Sequence, residues 1–350
     1  MATPVRYLPS AWARFWRPAT VALDLGTDAF RLAYPGTRSL VEIPARAVLD
    51  ARGHLAAIGK RALHMEERLP ETWRAVQPVE VGHLSHPAAA GQLVRVLLHQ
   101  VQRHRLWKPH LRLAAPVGMT PMERTVLGGF LKELPVREFS FEEGSVAQCM
   151  GAGLQPAGVP GMMIVDVGAQ RTGVTILSFG RPVVNEHWAG GGHSWTTALR
   201  SSVEDEHRVR VPRIVVEEWK RVGGDGRLPV QDRLTGRLRI LDLPAEFAHA
   251  AMEKSTRALV DHLAGVFTRC PPALRMDVQQ RGLLLVGNGA LLPGLRERLE
   301  GDLGLAVHLP DDAGRCLVRG LAKLALQADS GEEQREAMPE PQVDLFPLEA

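Results

Sequence analysis

The sequence predicts an α/β fold made of two related halves. Residues 20–34 (TVALDLGTDAFRLAY) consist of an apolar run, a turn with an aspartate and a glycine, and a second apolar run. Residues 162–179 (MMIVDVGAQRTGVTILSF) repeat this pattern. Short apolar runs separated by a glycine turn are typical of β-hairpins. Two hairpins of one design indicate that a domain has been duplicated.

Strand and helix patterns alternate between and after the hairpins. Residues 88–107 carry apolar side chains at helical spacing, and residues 111–116 form a short apolar run typical of a buried strand. In the second half, residues 282–286 predict a strand, Gly287–Gly289 a turn, and the pattern from Leu295 onward a helix. This alternation predicts the α/β class.

The composition is that of a globular protein with room for two cores. The chain has 350 residues, of which 45% are hydrophobic and 23% are charged, and these values exclude general disorder. A net charge of +3 does not indicate nucleic-acid binding, so no nucleic acid is expected as a partner. Cys149, Cys270 and Cys316 are far apart, which favours buried thiols in a reducing compartment. We therefore expect a cytoplasmic protein.

The turns of the two hairpins have the composition of phosphate-binding loops. Their backbone N–H groups can surround a phosphate chain, while the carboxylates of Asp24 and Asp166 can hold the waters of a Mg²⁺ ion. Gly26 and Gly168 let the backbone approach the phosphates, and Gly287-Asn288-Gly289 can do the same for a flat adenosine. One such turn is more often ordinary structure, but three in this order favour a nucleotide site.

The three turns resemble the nucleotide motifs of the actin, heat-shock chaperone and sugar-kinase superfamily, and those of the bacterial actin family MreB most closely. DLGT at 24–27 resembles the first phosphate loop, IVDVG at 164–168 the second, and LLLVGNGALLPGL at 283–295 the adenosine motif. Shorter matches extend the resemblance over about residues 20–326: VEIPARAVLDARGHLAAIG at 41–59, PVGMTPMER at 116–124, GAGL at 151–154, EEWK at 217–220 and CLVRGLAKLAL at 316–326.

The resemblance implies an actin-like ATPase fold around a central nucleotide cleft. Domain I would span residues 19–160 with a small insertion at about 39–78, and domain II residues 161–327 with a small insertion at about 196–244. The ligands would be ATP and Mg²⁺, the latter held through water by Asp24 and Asp166. The nucleotide contacts would come from Asp24, Gly26, Thr27, Asp166, Gly168, Arg171, Thr172, Gly191, Gly192, Glu217, Lys220, Gly287, Asn288 and Gly289.

The resemblance also implies a cytoskeletal function. Members of the family assemble head to tail into filaments on the inner face of the plasma membrane, where they help to determine cell shape and organise cell-wall synthesis. The expected partners are therefore copies of the same chain, an anionic membrane surface and morphogenetic membrane proteins of the cell-wall machinery. The expected location is cytoplasmic and peripheral on the membrane.

The N-terminal residues support a membrane location independently. On a helix formed by residues 10–17 (SAWARFWR), Trp12, Phe15 and Trp16 share one side while Arg14 and Arg17 share the opposite side. This is the composition of an interfacial anchor for anionic lipid, so residues 1–18 predict an amphipathic membrane-binding segment. The alternative is that the segment packs on its own domain.

The resemblance breaks at the residue that orients the attacking water. The family has a glutamate at the start of the helix that ends in the GAGL motif, and counting back from residues 151–154 puts Gly144 there. Glu143 is one residue early, so it can be the catalytic residue only if the chain bulges. Because positioning and charge stabilisation supply nearly all of the catalysis in phosphoryl transfer, we predict ATP binding with slow or absent hydrolysis.

The second phosphate loop also departs from the family. Ala169, Gln170 and Arg171 stand where the family is richer in glycine and threonine, and His193 and Ser194 replace an aspartate and a glutamate. The Arg171 guanidinium either pairs with phosphate or points to solvent.

Two other functions and one tail motif stay open. A non-polymerising actin-fold membrane adaptor would also keep ATP as a structural ligand. A small-molecule kinase of the superfamily would need a catalytic aspartate that does not stand out in the first half. Residues 328–350 are acidic and contain prolines, which predicts a disordered tail. The segment QVDLF at 342–346 resembles a peptide that docks on the replication clamp, although five residues also occur by chance.

Overall fold

The computed structural model describes residues 20–37, 39–102, 108–116 and 118–337. The predicted membrane segment, with Trp12, Arg14, Phe15, Trp16 and Arg17, lies outside these residues. In the described part of the chain, no helix combines the length and the apolar character needed to cross a bilayer.

The first half alternates strands and helices in the predicted manner. Its elements are β1 (Thr20–Leu25), β2 (Ala29–Ala33), β3 (Leu40–Pro44), β4 (Ala47–Leu49), β5 (Leu55–Ile58), α1 (Gly59–Met65), β6 (Arg74–Val76), β7 (Val79–Glu80), β8 (His83–Leu84), α2 (Pro87–Gln102), β9 (His110–Ala115), α3 (Pro121–Lys132), β10 (Glu138–Glu143) and α4 (Gly144–Gly151).

The second half begins with the second hairpin. Its elements are β11 (Met162–Val167), β12 (Arg171–Ser178), β13 (Arg181–Ala189), α5 (Gly192–His207), β14 (Val209–Arg210), α6 (Arg213–Arg221), β15 (Gly226–Asp232), β16 (Leu238–Leu243), α7 (Ala245–Arg269), α8 (Pro272–Arg281), β17 (Leu283–Val286), α9 (Leu295–Leu303), β18 (Val307–His308) and α10 (Cys316–Ala337).

Two five-stranded sheets have the same topology. Their strand orders are β10-β9-β1-β2-β3 and β13-β12-β11-β17-β18. In each sheet the central strand, β1 or β11, pairs antiparallel with the next strand of its hairpin and parallel with a later strand, β9 or β17. This matching topology confirms the two hairpins and the predicted α/β class.

Amphipathic helices cover each sheet. Helix α2 confirms the helix predicted over 88–107 as far as Gln102, and it buries Leu93, Val94, Leu97 and Leu98 against the first sheet. These positions recur at helical spacing, and each fully buried leucine contributes about 1.5–3 kcal/mol of transfer free energy. On the second sheet, α5 and α7 bury residues of the same kind.

Helices α4 and α10 lie between the two sheets. Ala147 and Val318 pack on the first sheet, while Cys149 and Cys316 pack on the second. The two helices cross closely at Gly151, where a Cβ would collide with the Cys316 carbonyl. Helix α10 thus joins both halves of the molecule, and the cleft between the sheets opens beside it.

Two three-stranded sheets accompany the five-stranded ones. The sheet β5-β4-β6 falls within residues 39–78, and the sheet β14-β15-β16 falls within residues 196–244. These are the segments that the resemblance identifies as insertions, and the domain boundaries themselves stay a prediction.

Helix α10 corrects one prediction. The composition predicts disorder from residue 328 onward, whereas α10 continues to Ala337. Residues 328–337 (ADSGEEQREA) are rich in alanine, glutamate, glutamine and arginine, which favour helices, and the first proline of the tail is at 339. The disorder prediction is therefore wrong for residues 328–337, while the docking-peptide segment at 342–346 lies outside the described residues.

Candidate functional site

A cavity of about 370 Å³ lies between the two sheets. This size is within the usual range for small-molecule sites. The cavity brings together eight of the predicted nucleotide-contact residues: Asp24, Gly26, Thr27, Asp166, Gly168, Arg171, Gly287 and Asn288. All three glycine turns therefore meet at one place, although the third is about 120 residues from the second in the sequence.

The two hairpin turns have the same local geometry. A Cβ on Gly26 would lie 2.8 Å from the Ala29 carbonyl oxygen, and a Cβ on Gly168 would lie 2.8 Å from the Arg171 carbonyl oxygen. The Gly168 N–H donates to that same Arg171 oxygen at 2.9 Å. Both turns are tight because their glycines have no side chain, which leaves the backbone open to a ligand.

The third turn packs directly on the second. Gly287 has φ 88°, a conformation that favours glycine, and a Cβ there would collide with the Asp166 carboxylate and the Val167 carbonyl. A Cβ on Gly289 would meet the Val167 side chain, so Gly289 supports the turn from behind and does not line the cavity.

Asp24 is held by a buried arginine that the sequence analysis did not identify. Arg31, on β2, is only 7% exposed, and its Nη1 donates to Asp24 Oδ2 at 3.2 Å. Its Nε donates to Glu42 Oε2 at 3.1 Å. Burial raises the pKa of Asp24 above its usual value, and the Arg31 charge opposes this shift. Hairpin register could have revealed the pair, because Arg31 lies directly opposite Asp24.

Asp166 is held by Gln148, a second residue that the sequence analysis missed. Gln148 Nε2 donates to Asp166 Oδ2 at 2.6 Å, and both residues line the cavity. Burial raises the pKa of Asp166 to about 6, with the Gln148 hydrogen bond opposing the shift and the Asp24 charge adding to it. Helical spacing could have identified Gln148 in the sequence, because it lies one turn after Gly144 on α4.

Beside the cavity, side chains of the two halves form hydrogen bonds with each other. The His193 ring lies 2.8 Å from the Asp28 carboxylate, and Arg46 Nη2 donates to the same carboxylate at 2.9 Å. Gln170 donates to Gln77 at 2.8 Å. His193 and Gln170 belong to the second half and their partners to the first, so the two halves are in direct contact here.

Several predicted contacts are not brought to the cavity wall. Lys220 Nζ is buried and donates to the Gly192 carbonyl at 2.9 Å, to Thr196 Oγ1 at 2.7 Å and to Glu217 Oε1 at 2.9 Å. These three acceptors match the three donors of the ammonium group, so Lys220 and Glu217 anchor α6 to the start of α5.

The remaining predicted contacts support the second loop. Thr172 Oγ1 donates to the Gly190 carbonyl at 2.9 Å, and the Gly192 N–H donates to the Gly168 carbonyl at 3.0 Å. A Cβ on Gly191 would collide with that carbonyl. Thr172, Gly191 and Gly192 therefore hold the second loop in position from behind.

Glu143 does not reach the cavity through a bulge. The parallel pairing of β9 and β10 continues regularly to Glu143, and α4 begins at the next residue. Ser145 Oγ donates to Glu143 Oε1 at 3.0 Å, while Gly144 lines the cavity. At this point the cavity wall is therefore formed by a residue without a side chain.

One side of the cavity is apolar. This wall is formed by Leu84 of β8 and by residues before and within α3, namely Met119, Met122, Val126 and Leu127. Thr120 and Glu123 form a capping box that fixes the start of α3, because each side chain accepts from the other residue's backbone N–H.

Comparison with known proteins identifies similar chains over nearly the whole length. The model of the family described as MreB/Mbl protein matches residues 18–333. The chain is 26% identical over 320 residues to the cell shape-determining protein MreB of Escherichia coli K12, which covers 87% of this chain and 92% of that protein. It is 23% identical over 311 residues to the cell shape-determining protein Mbl of Bacillus subtilis strain 168, covering 86% and 93%.

Solved structures show the same fold. MreB5 of Spiroplasma citri bound to ADP superposes with a TM-score of 0.82 at 21% identity, covering 92% of this chain and 99% of that one. The MamK double helical filament gives a TM-score of 0.73 at 15% identity, covering 88% and 99%. These likenesses extend to an actin-like fold and not to a particular ligand.

Proposed function

Because the chain belongs to the MreB/Mbl family, whose model matches most of its length, we propose that it is a nucleotide-binding cytoskeletal protein that determines cell shape. It has the actin-like fold, and its similar relatives from Escherichia coli and Bacillus subtilis are cell shape-determining proteins. The domain boundaries proposed with this fold are residues 19–160 and 161–327, with the insertions at about 39–78 and 196–244.

The proposed ligand is an adenine nucleotide. The main supporting observation is that three glycine turns, around Gly26, Gly168 and Gly287, meet at one cavity of about 370 Å³. Exposed backbone N–H groups at such turns bind phosphate. MreB5 of Spiroplasma citri, which has the same fold, has been solved with ADP and with AMPPNP.

Thermal unfolding tests the ligand. A nucleotide that binds only the folded protein stabilises it by about 2.7 kcal/mol at a hundred times its dissociation constant, so ATP should raise the Tm. GTP and inorganic phosphate serve as controls. An unchanged Tm at millimolar ATP would contradict nucleotide binding.

The expected Mg²⁺ ion stays a proposal at two carboxylates of the cavity wall, those of Asp24 and Asp166. Asp24 Oδ2 accepts from Arg31, and Asp166 Oδ2 accepts from Gln148. Mg²⁺ usually keeps several waters and is held by one or two carboxylates together with substrate phosphates, so the two aspartates can hold it through water. Nucleotide binding itself is proposed from the glycine turns, and Mg²⁺ is the ion expected to accompany the phosphates.

Self-assembly is the second part of the proposed function. MamK, which shares the fold, forms a double helical filament. We expect this chain to assemble head to tail, at the inner face of the plasma membrane, with residues 1–18 as the lipid contact. Morphogenetic membrane proteins of the cell-wall machinery are the expected partners there.

A non-polymerising membrane adaptor is the second candidate function. The observation that favours it is Gly144 in the cavity wall, because without a carboxylate to position water the nucleotide would act as a structural ligand. Sedimentation with ATP separates the two functions, since an adaptor stays in the supernatant.

A further inference from the structure

We propose that residues 77–84, which contain the β7–β8 hairpin, form a strap across the nucleotide cleft that slows the release of the bound nucleotide. Gln170 of the second phosphate loop fastens this strap. The proposal rests on the proposed nucleotide site and concerns how long the ligand stays in it.

The strap forms part of the cavity wall. Four of its residues line the cavity, namely Val79, Gly82, His83 and Leu84. Strands β7 and β8 pair only through Val79 with Leu84 and Glu80 with His83. A hairpin of this size is not stable alone, so contacts with neighbouring elements must hold it against the cavity.

The side chain of Gln170 supplies two of these contacts from the other half. Gln170 Oε1 accepts from the Val81 N–H at 2.9 Å, and Gln170 Nε2 donates to Gln77 Oε1 at 2.8 Å. Gln77 Nε2 in turn donates to the Thr27 carbonyl, in the first phosphate loop, at 3.2 Å. The two phosphate loops are therefore linked to each other through the strap.

The turn of the strap is strained at the residue that contacts Gln170. Val81 has φ 49° and Gly82 has φ 84°, so both central residues of the turn are in the left-handed region. Asparagine, aspartate or glycine is usual at the first of these positions, and a β-branched residue there is an outlier. Such strain persists only where surrounding contacts hold it, and the Val81 N–H is the donor to Gln170.

The strap has one end fixed to its own half and one end that can be released. His83 Nδ1 lies 2.9 Å from Glu123 Oε1 of α3, which also belongs to the first half. If the two halves separate, the strap stays with the first half, and the contacts with Gln170 are the ones that break.

The fastening residue is a departure of this chain from the pattern that the resemblance predicts. Gln170 stands in the part of the second loop where glycine and threonine are expected. Glycine could make neither of the two side-chain hydrogen bonds. The strap is therefore fastened by a residue that the loop does not need for its own turn.

The consequence concerns the rate of nucleotide release. Phosphates that bind between the two loops leave when the loops separate, and the strap must unfasten before that happens. Loss of the two Gln170 hydrogen bonds should therefore speed release by about ten-fold.

Stopped-flow fluorescence of the full-length protein tests the proposal. The protein is loaded with ATP that carries a methylanthraniloyl group on its ribose, and excess unlabelled ATP then displaces it. We expect Gln170→Ala to release the labelled ATP about ten-fold faster than the wild type, with an association rate within about two-fold of the wild type. A damaged loop would slow association as well, so this split separates fastening from a merely structural role.

Two further variants assign the effect to the strap. Gln77→Ala breaks the same link from the other side and should also speed release. The double variant should release no more than about two-fold faster than Gln170→Ala, because both substitutions remove one shared link. Gln231→Ala is the control, because Gln231 Nε2 donates to the Gly236 carbonyl at 2.9 Å within the sheet β14-β15-β16, and it should release ATP as the wild type does.

Each outcome decides a separate point. Wild-type release rates in both Gln170→Ala and Gln77→Ala would overturn the strap and leave the nucleotide site intact. An absence of binding by the wild type would overturn the nucleotide site itself, and the proposal with it. Slower association by Gln170→Ala would show that Gln170 shapes the loop and does not fasten a strap. If Gln170→Ala does not fold, Gln77→Ala decides alone.

Discussion

His193 and Asp28 join the two halves of the molecule across the nucleotide cleft. The His193 Nε2 atom lies 2.8 Å from Asp28 Oδ1, although the residues are 165 positions apart. Asp28 directly follows the first phosphate loop, and His193 is in the first turn of α5, behind the second loop. A change in the distance between the loops must therefore stretch or break this contact.

Asp28→Asn should lower the free energy of unfolding by an amount that depends on pH. Burial raises the pKa of Asp28, but His193 and Arg46 outweigh it and hold the pKa well below its usual range. A depressed folded pKa stabilises the protein above the unfolded pKa, near 4, and this stabilisation is lost as pH falls through the folded value. The wild type should therefore be more stable than Asp28→Asn at neutral pH, and the difference should shrink below about pH 4.

Urea unfolding at several pH values measures this difference. His193→Gln tests the same contact from the other side. If the difference in unfolding free energy between wild type and Asp28→Asn did not change with pH, the Asp28 charge would not be what stabilises the folded protein.

Gly168→Ala should weaken ATP binding by about ten-fold or more, since a displaced loop no longer presents its N–H groups correctly. The new Cβ would lie 2.8 Å from the Arg171 carbonyl, so the turn must open. Gly129→Ala is the matched control, because Gly129 is in α3 and a Cβ there meets nothing within 4 Å. Calorimetric titration compares the two, and equal affinities would contradict the role of the second loop.

These glycines could be predicted from the sequence because a tight turn depends on local residues alone. The hairpins, the third turn and the α/β class follow from patterns within short segments such as residues 20–34 and 283–295. The pairs across the cleft could not be predicted in this way. The contact between Asp28 and His193 depends on how two separately folded halves are placed, and no local pattern encodes that placement.

Lys220 shows a second limit of sequence reasoning. Its spacing from Glu217 places both side chains on one face of α6, but spacing does not tell whether that face points to the cavity or to α5. The structure shows that it points to α5, where Gly192 and Thr196 accept hydrogen bonds from the ammonium group together with Glu217 of α6 itself.

Phosphate release from the purified protein should be negligible in the presence of ATP. Gly144 lines the cavity at the position where the resemblance predicts a glutamate, and Glu143 accepts a hydrogen bond from Ser145. Positioning of the attacking water supplies much of the catalysis in phosphoryl transfer, so Glu143→Ala should leave the rate unchanged.

Gly144→Glu is the matched gain-of-function variant, and it should raise the rate of phosphate release. A Cβ at Gly144 would lie 3.3 Å from the Ala115 carbonyl, a contact that a small shift relieves. A brisk wild-type rate that Glu143→Ala abolishes would mean that Glu143 reaches the nucleotide after all.

Removal of residues 1–18 should release the protein from anionic vesicles without changing its Tm. The motivation is the separation of Trp12, Phe15 and Trp16 from Arg14 and Arg17 on a helix. Replacing Trp12 and Trp16 with alanine should have the same effect in a flotation assay, and neutral vesicles are the control. Equal flotation of the truncated and full-length proteins would locate the lipid contact elsewhere.

Electron microscopy of the full-length protein with ATP on anionic lipid tests the proposed cytoskeletal function most directly. We predict filaments with ATP, fewer without nucleotide, and few with Gly168→Ala, since the second loop is part of the proposed nucleotide site. Sedimentation under the same conditions gives the assembled fraction. Protein that binds ATP and lipid but stays unassembled at every concentration tested would contradict filament formation and favour the membrane adaptor.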